Sequence, residues 1–362
     1  MKTMQLVPAM EQGGVERGVV EVNRAIVAEG WHNVVVSAGG RLVSDIVSDG
    51  GRHVTLDVKS KNPLTYFSRS AKLRRLLEEE RPDVVCVHSR VPAWLFRWAK
   101  RKLAIKWITF AHGANSVSRY SAVMTHGDLT VTPSQYIADY LKANYSFDES
   151  RIRVIPRAID KSKFDIDRLD REFIEEKRRE WGVDGKFVVM GLGRITALKG
   201  YDALIKAVAS LDARFKLVIV GEAEQLRKDV ELELHSLVER LGVGDRVVFA
   251  GNQRKVAECL SIADVVVSSN TRKPEAFGRS MAEALAMGKP VVAKAFGGAL
   301  DIVRDGVDGV LVQDETGFAA AIEKVSRMRF GNLRGEALER FSFEKMIERS
   351  LAVYRELAPP DA

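Results

Sequence analysis

The sequence predicts an α/β protein of two doubly wound, Rossmann-like domains in tandem. Three observations carry this. Short apolar runs rich in Val and Ile alternate with stretches of helical length. Several of the runs end at glycine-containing turns. The whole pattern then restarts after a charged stretch, Lys161 to Glu180. Strands of a parallel sheet read as continuous apolar runs because helices cover both faces. At roughly 150 residues per domain, a chain of 362 residues also fits two.

The elements follow in order. Met4 to Val7 is the first strand, and the turn Glu11-Gln12-Gly13-Gly14 leads into a helix from Val15 to Glu29. Val34-Val35-Val36 precedes Gly39-Gly40, and Val54 to Val58 is the third strand. Tyr66 to Glu80 is a helix rich in Leu, Arg and Lys, and Pro82-Asp83 introduces the buried strand Val84 to Val87. Trp94 to Lys102 is helical, and Trp107 to Phe110 is a strand ending at His112-Gly113. Leu129 to Thr132 and Val154-Ile155 complete the first half. Lys161 to Glu180 reads as a linker plus a solvated helix. The second half has strands at Phe187 to Met190, Lys216 to Val220, Arg246 to Phe249, Asp264 to Val267, Pro290 to Ala293 and Gly309 to Val312. The expected division is 1–162, 163–342 and a last helical segment, 343–362, returning to the first domain. Ligands of such sheets bind at the carboxyl ends of the strands, so two domains facing each other would form a cleft there.

Composition narrows the function. Hydrophobic residues make up 46% and charged residues 29%, a globular balance without a membrane-spanning run. The segment Met1 to Val7 is too short for a signal peptide. The two cysteines, Cys86 and Cys259, exclude a disulfide framework or a zinc ribbon and fit a reducing cytoplasm. The net charge is +7, and residues 1–150 hold 20 Lys and Arg against 15 Asp and Glu. A basic half is either a solubility device or the mark of an anionic partner.

Three turns carry candidate chemistry. Gly13-Gly14 lets a backbone approach a phosphate or sugar, although an ordinary tight turn has the same composition. Arg194 and Lys199, at the end of the strand that opens the second half, suit a diphosphate: a fork and a point charge. In Pro274-Glu275-Ala276-Phe277-Gly278-Arg279-Ser280-Met281-Ala282-Glu283, the backbone N–H groups of 276–280 open a helix and can face an anion. Glu275 at the helix start can accept from a polyhydroxyl ligand, and Glu283, two turns in, can hold a ribose diol. By spacing alone, a cap and a solvent-facing glutamate explain the pair equally well.

This segment resembles the Glu-x7-Glu motif of the retaining family 4 glycosyltransferases, which have the GT-B fold. The resemblance covers essentially the whole chain: Gly13-Gly14, Gly193-Arg194 with Lys199-Gly200, Gly221, Gly251 and Gly288-Lys-Pro-Val-Val fall in the family's order. Val154-Ile-Pro-Arg-Ala-Ile-Asp160 looks like the domain-joining segment, with Arg157 and Ala158 in place of the usual Asn and Gly. The resemblance implies that Arg194 and Lys199 bind the donor diphosphate and that Glu283 binds the ribose. It implies that Glu275 contacts the sugar, with Ala276, Phe277, Gly278 and Arg279 beside it. Gly14 would approach the donor or acceptor from the first domain. His112 matches the family's active-site histidine, with its carbonyl near the anomeric carbon. Retention of configuration, no metal and no cofactor are implied as well. The one Asp-x-Asp, Asp165-Ile166-Asp167, lies in the linker, away from any strand end.

The acceptor is expected in the first domain. The stretch Trp94 to Trp107 holds Arg97, Lys100, Arg101, Lys102 and Lys106 without an acid, interleaved with Trp94, Phe96, Trp98 and Trp107. This is either an interfacial segment for anionic lipid or a core helix with a solvated basic face. With His88 and Arg90 after their strand, it favours a peripheral enzyme on the inner face of the cytoplasmic membrane. Its acceptor would be lipid-linked or of lipopolysaccharide type. The competing readings are a soluble acceptor and a non-enzymatic binder of nucleotide sugar or nucleic acid. Against nucleic acid, this is the only basic aromatic cluster in the chain. The intact Arg194, Lys199, Glu275 and Glu283 argue against an inactive relative.

Overall fold

The computed structural model describes all residues except Gln12, 225–227, Thr271 and 359–362, so one residue of the early glycine turn and the last four of the terminal segment lie outside the described residues. The chain forms two compact units, Met1–Pro156 with Glu344–Ala362, and Arg157–Phe343. Residues 157–162 therefore belong to the second unit. The reason is local: Ile159 is buried in that unit's core and its N–H donates to the Phe341 carbonyl at 2.9 Å.

The first unit runs β1 (Lys2–Leu6), α1 (Gly14–Ala28), β2 (His32–Ser37), α2 (Val43–Ser48), β3 (Arg52–Thr55), α3 (Tyr66–Glu80), β4 (Val84–Val87), α4 (Arg90–Ala99), β5 (Lys106–Phe110), β6 (Leu129–Thr132), α5 (Gln135–Asn144) and β7 (Ile152–Val154). Its seven strands are all parallel, in the order β3-β2-β1-β4-β5-β6-β7. The order reverses between β1 and β4, and that switch point is where ligand crevices form in open α/β sheets.

Two elements differ from expectation. The third strand ends at Thr55, not Val58. Helix α4 starts at Arg90 and stops at Ala99, so Lys100, Arg101 and Lys102 lie in the turn that follows. Pro92 conceals the true start, although a proline in the first turn removes no helical hydrogen bond.

The second unit runs α6 (Arg171–Trp181), β8 (Phe187–Leu192), α7 (Tyr201–Ala209), β9 (Phe215–Val220), α8 (Lys228–Leu241), β10 (Val247–Phe249), α9 (Val256–Ile262), β11 (Val265–Ser268), α10 (Arg279–Ala286), β12 (Val291–Lys294), α11 (Ala299–Ile302), β13 (Gly309–Val312), α12 (Phe318–Val325) and α13 (Leu333–Arg340). Its parallel sheet has the order β10-β9-β8-β11-β12-β13, with the switch point between β8 and β11. Side chains alternate between two cores. Val188, Met190, Val266 and Val291 enter one, and Val189, Val265, Val267 and Val292 enter the other. This two-sided burial explains the unbroken apolar runs.

The last helix, α14 (Phe343–Leu357), carries the chain back to the first unit. Its fully buried Tyr354 interacts with the Cys86 thiol of β4. Burial raises the pKa of both cysteine thiols, Cys259 to about 12, which keeps them protonated and unreactive.

Two ion-pair nodes tie elements together. Asp308, only 2% exposed, accepts from Arg304 at 2.5 Å and from Arg340 at 2.9 Å. It thereby joins the turn before β13 to the end of α13. Glu80, at the end of α3, pairs with Lys2 of β1 at 2.6 Å and with Arg52 of β3. The hydrogen bond from Lys2, with the charges of Lys2 and Arg52, holds the Glu80 pKa below the usual range against the opposing effect of burial. A depressed carboxylate stabilises the fold above its unfolded pKa, and that stability is lost as pH falls through the folded value. Glu80→Gln is accordingly expected to lower stability by about 1–2 kcal/mol at pH 7. The gap to wild type should close below about pH 4 in urea melts at a series of pH values.

Candidate functional site

Each unit gathers its informative residues at the carboxyl end of its own sheet. In the second unit the turn after β8 carries Gly193 and Arg194, and Lys199 lies just before α7. The Lys199 ammonium pairs with the Glu275 carboxylate, both sides being partly buried. The Lys199 carbonyl accepts from Ser269 Oγ at 2.8 Å, which anchors this loop to the end of β11. Tyr201 Oη donates to the Gly193 carbonyl at 2.8 Å. Burial first, and then the nearby Glu275 charge, raise the Tyr201 pKa, so its phenol stays a donor.

The Glu275 loop rests on glycines. Gly278, at the N-terminus of α10, has φ of 97°, and a Cβ there would stand 2.2 Å from Met281 Cε and 3.3 Å from Glu275 Oε2. The Gly297-Gly298 turn after β12 presses against the same loop. Gly298 N–H donates to the Glu275 carbonyl at 2.8 Å, and a Cβ on Gly298 would come within 2.2 Å of the Phe277 carbonyl oxygen. A larger residue at Gly278 is strained by its positive φ, and one at Gly298 runs into the Phe277 backbone. Phe277 itself is core, edge-on to Phe341 at 5.6 Å, so only its backbone faces the loop. Ala276 is half-buried.

Glu283 lies in α10 and pairs with Arg279 one turn earlier at 3.0 Å. Burial pushes its pKa above the usual carboxylate range, partly offset by Arg279 and Lys163. A polar group held in a largely buried place, with one partner, is ready to accept further hydrogen bonds. Arg194 stands apart from this group. Its side chain is 74% exposed and pairs with the exposed Glu224, not with the Lys199–Glu275 pair.

In the first unit a cavity of about 270 Å³ sits at the β1/β4 switch point. It is lined from the β1 turn by Val7, Pro8, Val15 and Glu16, after β4 by His88, Ser89 and Arg90, and after β5 by His112, Gly113 and Asn115. Gly14 is the first residue of α1, next to this lining. His88 Nδ1 lies 3.1 Å from His112 Nε2, and His88 Nε2 lies 3.2 Å from Gln5 Oε1. The two rings stack with centroids 5.3 Å apart. Arg90 Nη1 donates to Ser121 Oγ at 3.0 Å, with its guanidinium over Tyr120.

A second cavity of the first unit, about 530 Å³, is walled by Pro63, Tyr66, Phe67, Val91, Trp94 and Tyr120. The 94–107 stretch divides about it. Phe96 and Trp107 are buried core, and Lys100 is held by its own turn, donating to the Ile105 carbonyl at 2.7 Å across both rings. Burial lowers the Lys100 pKa, and its ammonium is already engaged within the unit. The exposed face carries Trp98, Arg97, Arg101 and Lys102, with Arg97 over Trp94 at 5.2 Å and Arg101 over Trp98 at 4.3 Å. Exposed Leu64 and Phe67 extend it.

The sequence alone does not single out Tyr201, Ser269, Gly297-Gly298 or Gln5. A polar Gln between Met4 and Leu6, inside a buried strand, is the one signal that was available. Among the described residues no group of three His, Cys, Asp or Glu is placed to hold a metal ion, and no helix is long and apolar enough to cross a membrane. Asp165 of the linker Asp-x-Asp instead caps a short turn, accepting from the Asp167 N–H at 3.1 Å.

Comparison with known proteins agrees with this layout. Residues 12–163 match the Glycosyltransferase Family 4 model, and residues 173–344 match that of Glycosyl transferases group 1. The chain belongs to the GT-B glycosyltransferases. A glycosyltransferase from Rickettsia africae is similar over 98% of both chains, with 26% identity and a TM-score of 0.87. An Anabaena protein crystallised with UDP and glucose shares the GT-B fold, at 21% identity and a TM-score of 0.78 over 98% of this chain and 99% of its own. Among curated relatives, a D-inositol 3-phosphate glycosyltransferase of Stackebrandtia nassauensis is 34% identical over 64% of this chain and 55% of its own length. A lipopolysaccharide core biosynthesis glycosyltransferase of Rhizobium meliloti is 39% identical over 38% of this chain and 39% of its own. The match spans 55–59% of the length of the first three curated relatives.

Proposed function

We propose that the chain is a retaining, metal-independent glycosyltransferase. It moves a hexose-type sugar from a UDP- or GDP-sugar to a lipid-linked acceptor of the lipopolysaccharide-core kind. The observation that carries this is the Lys199–Glu275 pair at the second unit's switch point, on a glycine-supported loop, with the buried Glu283 in the helix that follows. Glu283 accepts the ribose hydroxyls, and Lys199 meets the diphosphate. Arg194 joins it by leaving Glu224, a small cost because exposed pairs contribute only about 0–1 kcal/mol. Glu275, with the N–H groups of Phe277 to Arg279, receives the sugar ring. Cleavage of the glycosyl–phosphate bond puts negative charge on the diphosphate, and fixed cations aimed there lower the barrier. The first unit's polar cavity, lined by His112 and with Gly14 beside it, takes the acceptor. UDP and glucose bound to the Anabaena protein support a nucleotide-sugar donor.

The exposed Arg97–Trp98–Arg101–Lys102 surface beside the aromatic cavity supports a peripheral place on the inner, anionic face of the cytoplasmic membrane. Aromatic rings and cations together suit the lipid headgroup region. A second reading, a soluble phosphorylated polyol as acceptor, is favoured by the relatives that act on D-inositol 3-phosphate.

Calorimetric titration with UDP-, GDP- and ADP-sugars tests the donor. One sugar nucleotide should bind without added metal, and Glu283→Gln should weaken it at least tenfold. The same substitution should raise the melting temperature of the ligand-free protein near neutral pH. Its raised pKa means that the charged form opposes folding as pH climbs through the folded value. Absence of binding by every donor would refute the reading. Product anomers by NMR test retention. Sedimentation with anionic against neutral vesicles, for wild type and Arg101→Ala, separates the two acceptor classes.

A further inference from the structure

We propose that the lipid-linked acceptor lies across the start of α4, with its polar end in the first unit's polar cavity and one apolar chain in the neighbouring aromatic cavity. The inference rests on the lipid-linked acceptor proposed above and names where its chain binds. Consecutive residues line the two cavities: Ser89 and Arg90 the polar one, Val91 the aromatic one. Arg90 also joins them in space. Its Nη1 donates to Ser121 Oγ at 3.0 Å, and its guanidinium stands 5.4 Å from the centre of the Tyr120 ring, a wall of the aromatic cavity. A guanidinium at such a junction suits the phosphate that links a polar head to its chain.

The aromatic cavity, about 530 Å³, has mostly apolar walls. Tyr66 Oη donates to the Trp94 carbonyl at 2.9 Å, and Trp94 Nε1 donates to the Tyr120 carbonyl at 2.9 Å, so both rings turn their polar ends to backbone and leave apolar faces. Water in such a space finds too few partners, whereas a hydrocarbon chain gains by leaving water. Apolar surface continues outside, with Phe67 63% and Leu64 89% exposed and Trp98 edge-on to Phe67 at 5.5 Å. The charge around the cavity is of one sign. All its lining residues come from 58–77 and 84–127, which hold six and seven Lys and Arg and no Asp or Glu. Arg69, 6% exposed, is one of them, and it donates to the neutral oxygens of Thr65, Asp57 and Asn62 at 3.1–3.3 Å. The Asp57 carboxylate turns instead to the N–H groups of Lys59 and Ser60. A buried cation without a carboxylate favours an anion nearby. A chain carrying a phosphate matches both the walls and the field, whereas a neutral lipid or a chain-free phosphate matches one of them.

The test is calorimetric titration of the full chain with monoacyl glycerol phosphates of six, eight and ten acyl carbons, each below its micelle concentration. Every two added methylenes should tighten binding by about tenfold until the cavity is full. Glycerol 3-phosphate, which lacks the chain, and octyl glucoside, which lacks the charge, should each bind about tenfold or more weakly than the eight-carbon phosphate. Phe67→Asp, at an exposed wall position, should weaken the eight-carbon ligand by about tenfold. Val91→Trp, which fills the cavity, should abolish the chain-length dependence and leave glycerol 3-phosphate binding within about twofold. Melting curves on each variant separate misfolding from a lost site, and the wild-type series needs no variant. Equal affinities along the series overturn the proposal, as does a neutral amphiphile bound as tightly as the charged one or a Val91→Trp protein with the wild-type series. If the series behaves as expected but no donor binds, the chain site stands and the assigned reaction fails. If a donor binds and the series is flat, the reaction stands and the chain site fails.

Discussion

Replacing Lys199 by alanine is expected to slow sugar transfer by about a hundredfold to a thousandfold, the loss typical of one preorganised donor at a developing anion. The ammonium is held in place from both sides. Its side chain is fixed on Glu275, and its backbone is fixed by Ser269. On the proposed reading, a group so held does not need to reorganise as charge develops on the leaving diphosphate, and its effect falls on kcat. Arg194→Ala provides the contrast. Its guanidinium is three-quarters exposed and engaged with Glu224, so part of its contribution is spent in reorientation. The smaller loss, nearer tenfold, is expected there, with more of it in the donor KM. Single-turnover kinetics with the donor found by titration would measure both. Equal losses for the two variants would mean that Arg194 is already in place before the donor arrives.

The second large effect concerns stability. Asp308→Ala should destabilise the protein by about 2–4 kcal/mol, because it strands two guanidinium groups that the native fold brings to one buried carboxylate. Burial alone would raise the Asp308 pKa, yet the hydrogen bonds and charges of Arg304 and Arg340 bring it below the usual range. That contribution is present above the unfolded pKa and disappears as pH falls through the folded one. Arg304 keeps Glu336 and Arg340 keeps the carbonyls of Asp301 and Ile302, which limits the loss. Denaturant melts at pH 7 and pH 3 should show a large gap between wild type and variant at the first and a small one at the second.

Much of the architecture was legible because parallel strands buried on both faces leave an unambiguous trace. The runs at 84–87 and 309–312 coincide with β4 and β13. The candidate residues were legible as loops after strands, and the fold brings Lys199 and Glu275 together. Composition, however, does not say which way a side chain faces. In α4, Leu95, Phe96 and Ala99 turn inward while Arg97 and Trp98 turn out, so an aromatic-basic run that reads as one feature is two. Helical spacing could have separated them. Nothing local reveals that Gly297-Gly298 supports Glu275, since 21 residues intervene and only the sheet order brings them together. Nor does it reveal that Arg194 pairs with Glu224, a residue from a different loop.

The return of α14 to the first unit has a consequence for synthesis. A ribosome releases residues 1–156 long before it makes Tyr354, the side chain that closes the space beside Cys86. The amino-terminal unit therefore waits, incomplete, while the carboxyl-terminal unit, continuous from Arg157 to Phe343, emerges and can fold outright. The half that starts first finishes last. Until Tyr354 is made, the flank of β4 beside Cys86 lacks this cover, and the first unit is complete only once α14 has been made.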